Sequence, residues 1–144
     1  MKLLQPLVAS NDMVELRLPC KAEWVAVARL AIAGIASRLA YTVADVEDLK
    51  LAVAEACTNR IRHADGAETI VIAAEVAPDE VRITVRDEGS STHVVAVPTV
   101  AEAREDRLGI VLIQSLMDSA DYYVDPDGGV VLVMRKSIPA ARDA

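Results

Sequence analysis

The sequence predicts an α+β fold in which a single-layer, mixed or antiparallel sheet is covered on one face by helices. The elements follow in the order strand, two helices, two strands, helix, two strands, and turn-forming residues join both strand pairs. Hydrophobic residues make up 53% of the 144 residues and charged residues 26%, which is typical of a folded chain. We expect residues 1–144 to form one domain with its core between about 13 and 136.

The first strand and the first helix follow from alternation and composition. In Met13–Pro19 apolar residues alternate with Glu15 and Arg17, and Pro19 ends the strand. From about 23 to 40 the chain is Ala-rich and free of Pro, which predicts a helix. The large apolar residues at helical spacing are expected to share one stripe: Trp24, Val27, Leu30 or Ala31, Ile35 and Leu39.

A second helix is expected from a cap at Asp45 to about His63, where the following Asp65-Gly66 breaks it. One side of this helix carries the residues expected in the core: Val46, Leu49, Val53 and Cys57. Another side carries Glu55, Asn59 and Arg62, because residues four and seven positions apart lie one and two turns further on.

The second half of the chain predicts two strand pairs around a third helix. The first pair is Thr69–Val76 and Glu80–Arg86, and its second strand should have one wet face bearing Arg82, Thr84 and Arg86. Residues 90–106 read as an irregular connection, and Leu108–Ser119 as the helix. The closing strands are Asp121–Val124 and Val130–Arg135, joined by the turn-forming run 125–129.

Composition excludes several classes of function. The formal net charge of −7 argues against direct binding of nucleic acid, which depends on Lys and Arg. Two cysteines, Cys20 and Cys57, are too few for a disulfide framework, and two His with two Cys lack zinc-site spacing. No apolar run reaches the ~18 residues of a membrane span. We therefore expect a cytoplasmic protein without a membrane contact.

Glu55 and Asn59 are the first candidate site residues. A carboxylate and an amide oxygen one turn apart can both meet a Mg²⁺ ion or its waters, and Glu can take a proton from an attacking hydroxyl. The plainer interpretation is a solvated helix face, and the spacing alone favours it.

Two further segments suggest a nucleotide. Asp87-Glu88-Gly89 follows a strand, where the carboxylate can accept a hydrogen bond from adenine and the glycine permits close approach. Arg107-Leu108-Gly109 is expected to open the third helix, where free N–H groups can hold phosphate. An ordinary turn and an ordinary helix start are the alternatives, and the combination of all three features favours a nucleotide site.

The run from Leu51 to His63 resembles the N-box of the bacterial anti-sigma-factor serine/threonine kinases, which belong to the histidine-kinase-like (GHKL) ATPases. The segments Val85–Gly89 and Leu108–Asp118 resemble the two glycine boxes of that family. The similarity extends over about residues 14–135. It implies a Bergerat-type ATP-binding sandwich that uses ATP and Mg²⁺.

The resemblance also implies roles for individual residues. Glu55 would be the general base, Asn59 the Mg²⁺ ligand and Asp87 the adenine reader, while Gly89 and Gly109 would allow close approach of the nucleotide. Arg107 stands where the family has glycine. We expect its guanidinium to pair with phosphate, and the alternative is a side chain in solvent that merely begins the helix.

Members of this family hold a sigma factor inactive, phosphorylate a serine of an anti-anti-sigma partner and commonly form homodimers. The resemblance therefore implies that this chain has the same function and forms a homodimer. The alternative is a non-catalytic protein-binding regulator of the same fold, which Ser91 and Arg107 favour because both replace family glycines. The ATPase module of a sensor histidine kinase is disfavoured, since the sequence shows no dimerisation helix with a phosphoacceptor His.

Overall fold

The computed structural model describes residues 2–3, 11–63, 66–88, 100–124 and 130–139. The strands are β1 (Lys2–Leu3), β2 (Asp12–Pro19), β3 (Thr69–Val76), β4 (Glu80–Glu88), β5 (Ser119–Val124) and β6 (Val130–Ser137). The helices are α1 (Val25–Ala36), α2 (Val43–His63) and α3 (Val100–Leu116), and a short 3₁₀ turn, Ala22–Trp24, precedes α1. The predicted order of elements is confirmed, with the two-residue β1 as an addition that the sequence did not indicate.

The strands form one mixed sheet in the order β1-β5-β6-β4-β3-β2. Every neighbouring pair is antiparallel except β1 and β5, which run parallel. The hairpins β3–β4 and β5–β6 pair strands that are consecutive in the chain. Strand β4 also pairs with β6, which follows α3 in the chain, and this pairing joins the two hairpins into one sheet. The predicted mixed sheet is confirmed.

The three helices pack on one face of this sheet. Alternate residues of the central strands, such as Ile72, Ile83 and Met134, are buried in the same cluster as the inner side chains of the helices. Strand residues one position away, such as Val71 and Val133, are also buried but lie outside that cluster, because successive side chains point to opposite faces. The predicted arrangement of helices on one face is confirmed.

The stripe of large side chains predicted for helix α1 is only partly buried: Ile35 and Leu39 pack against the core. The buried residues of α1 are Ala28, Ile32 and Ala36, whereas Leu30 is 70% exposed. Small side chains let two helix backbones approach closely, and α1 packs along α2. The large residues Trp24 and Val27 are therefore turned outward, and the predicted stripe is wrong for these positions.

Helix α2 begins three residues earlier than predicted, because its cap is Thr42 rather than Asp45. The Asp45 N–H donates to Thr42 Oγ1 at 3.1 Å, and the Thr42 N–H donates to Asp45 Oδ2 at 3.0 Å. This reciprocal pair is a capping box with Asp at its third helical position. Because α1 and α3 flank α2 above the sheet, a wide arc of the helix is buried, and this arc includes Asn59.

Helix α3 begins at Val100, eight residues before the predicted start at Leu108. Arg107, Leu108 and Gly109 therefore lie within the helix, where backbone N–H groups bond to carbonyls one turn earlier. The expected set of free N–H groups at Arg107–Gly109 is absent from this structure. The sequence 100–107 has no Gly or Pro, so nothing in it stops the helix at the predicted point.

The face of β4 that was expected to be wet is partly closed. Arg82 is only 8% exposed and lies directly opposite Glu75 of β3, which is 5% exposed. Burial lowers the pKa of the Arg82 guanidinium, and the neighbouring Arg135 lowers it further while Glu75 opposes the change. Opposite charges on facing strand positions make this burial tolerable, which alternation alone could not indicate.

Candidate active site

The C-terminal half of α2 lies above a cavity of about 270 Å³. Its floor is formed by three residues on neighbouring strands. Leu132 of β6 lies opposite Val85 of β4 on one side and opposite Tyr122 of β5 on the other. The α2 side of the cavity is lined by Ala56, Asn59, Arg60 and His63. An apolar floor with polar groups at one wall is the usual construction of a small-molecule site.

Asn59 is the buried polar residue of this wall, with 6% of its surface exposed. Its Nδ2 donates a hydrogen bond to the Tyr122 hydroxyl at 3.1 Å. Its Oδ1 is shut off from solvent and has no hydrogen-bond partner within the described part of the chain. A buried acceptor without a partner costs about 1–3 kcal/mol, so this oxygen is suited to a cation or donor supplied by a ligand.

Asp87 lies near the end of β4, and its Oδ1 is 3.5 Å from Nε of Arg60 on α2. Both side chains are 19% exposed, so the pair is partly shielded from solvent. This contact ties the strand end to the helix that carries Asn59. Arg60 also lines the cavity, and the pair therefore places a carboxylate beside it.

Glu55 faces a second, more open concavity of about 380 Å³, together with Arg62, Leu108, Gly109 and Leu112. Gly109 is buried against the Glu55 carboxylate. A Cβ atom placed on Gly109 would lie 2.8 Å from Glu55 Oε1, which is closer than real Cβ contacts allow. Because Gly109 has no side chain, the Glu55 carboxylate can occupy its present position.

The structure divides the predicted site residues between two neighbouring hollows of α2. Asn59 lines the first and Glu55 and Gly109 line the second, while Asp87 is linked to the first through Arg60. Arg107 is exposed on α3 and lines neither of them. Gly89, like His93 and Ser91, lies outside the described residues.

Among the described residues no three His, Cys, Asp or Glu side chains form a metal-binding group. Burial raises the pKa of the Cys57 thiol to about 12, which agrees with the predicted core position of this cysteine. Within the same ranges, no helix has both the length and the apolar character to cross a membrane.

The residues present fit a nucleotide carrying a divalent cation. The orphaned Oδ1 of Asn59 is the oxygen ligand that Mg²⁺ prefers, and the apolar floor offers a planar base a surface to contact. Mg²⁺ takes few protein ligands when phosphates supply others, so a three-residue cluster is not required.

Comparison with known families decides what this architecture represents. The model of the histidine kinase-like ATPase domain matches residues 18–136. The chain belongs to this family. The match includes α2, β4 and α3, which carry the described site residues that the sequence predicted. The family resemblance expected from the N-box and the glycine boxes is confirmed.

Curated relatives in this family are named serine-protein kinase RsbW. The protein from Halalkalibacterium halodurans is 39% identical in an alignment that covers 90% of this chain and 85% of the relative. The protein from Bacillus subtilis is 35% identical in an alignment that covers 91% of this chain and 89% of the relative. The protein from Staphylococcus aureus is 35% identical, with 90% and 89% covered.

A solved structure shows the same fold. The crystal structure of the RsbU and RsbW domains of a Mycobacterium tuberculosis protein has a TM-score of 0.66 and 19% sequence identity to this chain. The alignment covers 90% of this chain and 34% of the mycobacterial chain, so this chain corresponds to about a third of that protein.

Three site residues of this family member were not indicated by its sequence. Tyr122, Val85 and Leu132 lie on three different strands and meet only because β4, β6 and β5 are adjacent in the sheet. Arg60 lies within the N-box run, and the sequence indicated no role for it, although it pairs with Asp87. Its charge and its position one residue after Asn59 were the available signals.

Proposed function

We propose that this chain is an anti-sigma factor that holds a sigma factor inactive and uses ATP to phosphorylate a serine of an anti-anti-sigma partner. The observation that carries the proposal is the N-box helix α2, which presents Glu55 at one hollow and the orphaned Asn59 oxygen at the next. Relatives named serine-protein kinase that align over 85–89% of their length support the same function.

The site residues have distinct roles in this function. The adenine ring lies in the cavity over Val85 and Leu132, and Asp87 accepts a hydrogen bond from its exocyclic amine. Asn59 Oδ1 is the protein ligand of Mg²⁺, which neutralises phosphate charge when bound. Gly89 and Gly109 allow close approach of the nucleotide, and the Arg107 guanidinium pairs with phosphate through its side chain.

Glu55 is the general base of the transfer. Its carboxylate takes the proton of the partner's serine hydroxyl as the serine oxygen bonds to the γ-phosphorus, while the bond from that phosphorus to the bridging oxygen of ADP breaks. Gly109 keeps this carboxylate in place by leaving room for it. Positioning and charge stabilisation supply most of the rate in reactions of this kind.

The proposal extends to the assembly and location of the chain. We infer a homodimer, one domain over residues 1–144 with the core at about 13–136, and a cytoplasmic location in which the chain contacts the sigma factor rather than DNA. The net charge of −7 supports the absence of direct nucleic-acid binding.

The proposal is tested by nucleotide binding and phosphoryl transfer with the purified chain. Calorimetry with ATP is run with and without Mg²⁺, and transfer of labelled phosphate is measured with the anti-anti-sigma protein. Glu55→Gln should keep nucleotide binding but lower transfer at least ~100-fold, the usual contribution of a general base.

Glu47→Gln is the matched control for this measurement. Glu47 is on the same helix, has a side chain that is 60% exposed and forms a surface ion pair with Lys50, so its loss should leave transfer unchanged. Equal turnover by Glu55→Gln and the wild type removes Glu55 from the mechanism. ATP binding by the wild type without any transfer supports the non-catalytic regulator instead.

A further inference from the structure

The neighbour of Asn59 on strand β5 is a tyrosine whose hydroxyl touches the amide. The two residues are 63 positions apart in the chain, and the Asn59 Nδ2 to Tyr122 Oη distance is 3.1 Å. Tyr122 shares its strand face with the buried Ala120 below the helices, whereas Tyr123 points to the opposite face. The contact thus joins the N-box helix to the sheet inside the core side of the fold.

An asparagine amide can present either its oxygen or its nitrogen to a cavity. The two ends are similar in shape, but the oxygen attracts a cation and the NH₂ group repels one. Because Asn59 is only 6% exposed, the end that does not serve a ligand must find its partner inside the protein. In this structure the nitrogen has its partner in Tyr122 and the oxygen has none among the described residues.

We propose that Tyr122 is a positioning residue for the metal site, in that its hydroxyl accepts the Asn59 N–H and so holds the amide oxygen toward the Mg²⁺ ion of a bound nucleotide. The proposal rests on the metal-ligand role of Asn59 in the proposed function. The tyrosine hydroxyl accepts from Nδ2, so it satisfies the nitrogen when the oxygen faces the cation. Without that acceptor, this orientation would leave the nitrogen buried and unpaired.

Removing only the hydroxyl isolates this effect. In Tyr122→Phe the ring still fills the cavity floor. When the Asn59 oxygen faces the cation, however, the Asn59 Nδ2 is left buried without an acceptor. Without the hydroxyl, no acceptor at position 122 holds the amide in the orientation that the cation requires. We expect the affinity for the cation in the nucleotide complex to fall about 5- to 30-fold, which corresponds to the loss of one buried hydrogen bond.

The experiment uses Mn²⁺ as a paramagnetic probe that shares the preference of Mg²⁺ for oxygen ligands. Electron paramagnetic resonance measures Mn²⁺ binding to the ADP complex of the full chain, and calorimetry measures ADP binding without metal. Tyr122→Phe should weaken Mn²⁺ binding 5- to 30-fold and leave metal-free ADP affinity within about twofold. Tyr123→Phe is the matched control, since it removes a hydroxyl from the next residue on the other face, and both affinities should remain at the wild-type value.

A second variant separates orientation from damage to the fold. In Tyr122→Phe combined with Asn59→Asp the residue has two oxygens and no NH₂ group, so no orientation is needed. This double variant should bind Mn²⁺ at least as tightly as the wild type. Mn²⁺ binding that stays weak in the double variant assigns the loss to packing and overturns the proposal.

The remaining outcomes distinguish this inference from the proposed function. A wild type that binds ADP with an affinity independent of Mn²⁺ overturns the metal site and the role of Tyr122 together. A wild type that responds to Mn²⁺, with an unchanged Tyr122→Phe, overturns the role of Tyr122 alone. A selective loss in Tyr122→Phe, reversed by Asn59→Asp, supports it.

Discussion

Gly109 of α3 lies directly against the carboxylate of Glu55 on α2, so closely that a Cβ atom at position 109 would be 2.8 Å from Glu55 Oε1. The atom in the way is the far end of a flexible side chain, which can rotate to relieve the contact. A side chain at position 109 would therefore move the carboxylate rather than break the packing of the helices.

Gly109→Ala tests this relationship directly. We expect phosphoryl transfer to fall about 10- to 100-fold, because a displacement of ~1 Å in a reacting group has an effect of that size. The melting temperature should stay level or rise, since Ala is the better helix former by ~1 kcal/mol.

Gly34→Ala is the control for helix propensity. Gly34 is an exposed glycine inside α1, and a Cβ placed on it would meet no atom within 4 Å. This variant should match Gly109→Ala in thermal stability but retain full transfer. Equal transfer rates in the two variants would show that Gly109 does not fix the Glu55 carboxylate.

Asp87→Asn should weaken ATP binding by about 1–3 kcal/mol, the scale of a lost hydrogen bond to a charged group. The reason is that an amide NH₂ can face the adenine amine, and Arg60 loses its ionic partner at 3.5 Å. Discrimination between ATP and GTP should fall as well, because guanine has an oxygen where adenine has the amine. Competition binding with both nucleotides measures this, with Asp79→Asn in the exposed β3–β4 turn as the control. Unchanged ATP affinity would refute the adenine role.

Arg107→Ala should weaken ATP binding more than ADP binding, about 5- to 30-fold for a contribution of 1–2 kcal/mol. The structure places Arg107 inside α3 with an exposed side chain, so its contact with phosphate must come from the guanidinium and not from a free backbone N–H. Arg104→Ala, which removes an exposed charge one turn earlier, should leave affinity nearly unchanged. Both affinities are measured at one fixed salt and Mg²⁺ concentration, and equal or tighter binding by Arg107→Ala ends the phosphate role.

Cys57 should be unreactive toward a thiol reagent at pH 8 in the folded protein. Burial raises the pKa of its thiol to about 12, so the nucleophilic thiolate is scarce at that pH, and the reagent has no access to the core. The Cys20→Ser variant leaves Cys57 as the one cysteine of the sequence. Labelling followed by absorbance should show no fast reaction until denaturant is added. Rapid labelling without denaturant would contradict the buried position.

Helix α2 illustrates why sequence patterns gave the elements but not all of their burial. Its length and its end at His63 follow from periodicity and from the break at Gly66, which takes the left-handed conformation with φ +74. Asn59 is buried because α1 and α3 cover both flanks of α2. The sequence of α2 alone does not indicate which helices pack beside it. For the same reason the outward turn of Leu30 on α1 could not be predicted.

The sequence by itself determined the order of the elements, the hairpins and the motif residues Glu55, Asn59 and Asp87, because propensity, periodicity and motif spacing are local properties of the chain. Only the tertiary structure decided that Tyr122 meets Asn59, that Gly109 abuts Glu55 and that Arg60 pairs with Asp87. These contacts join elements that are far apart in the chain. They depend on strand order and helix packing, which arise when the whole core closes.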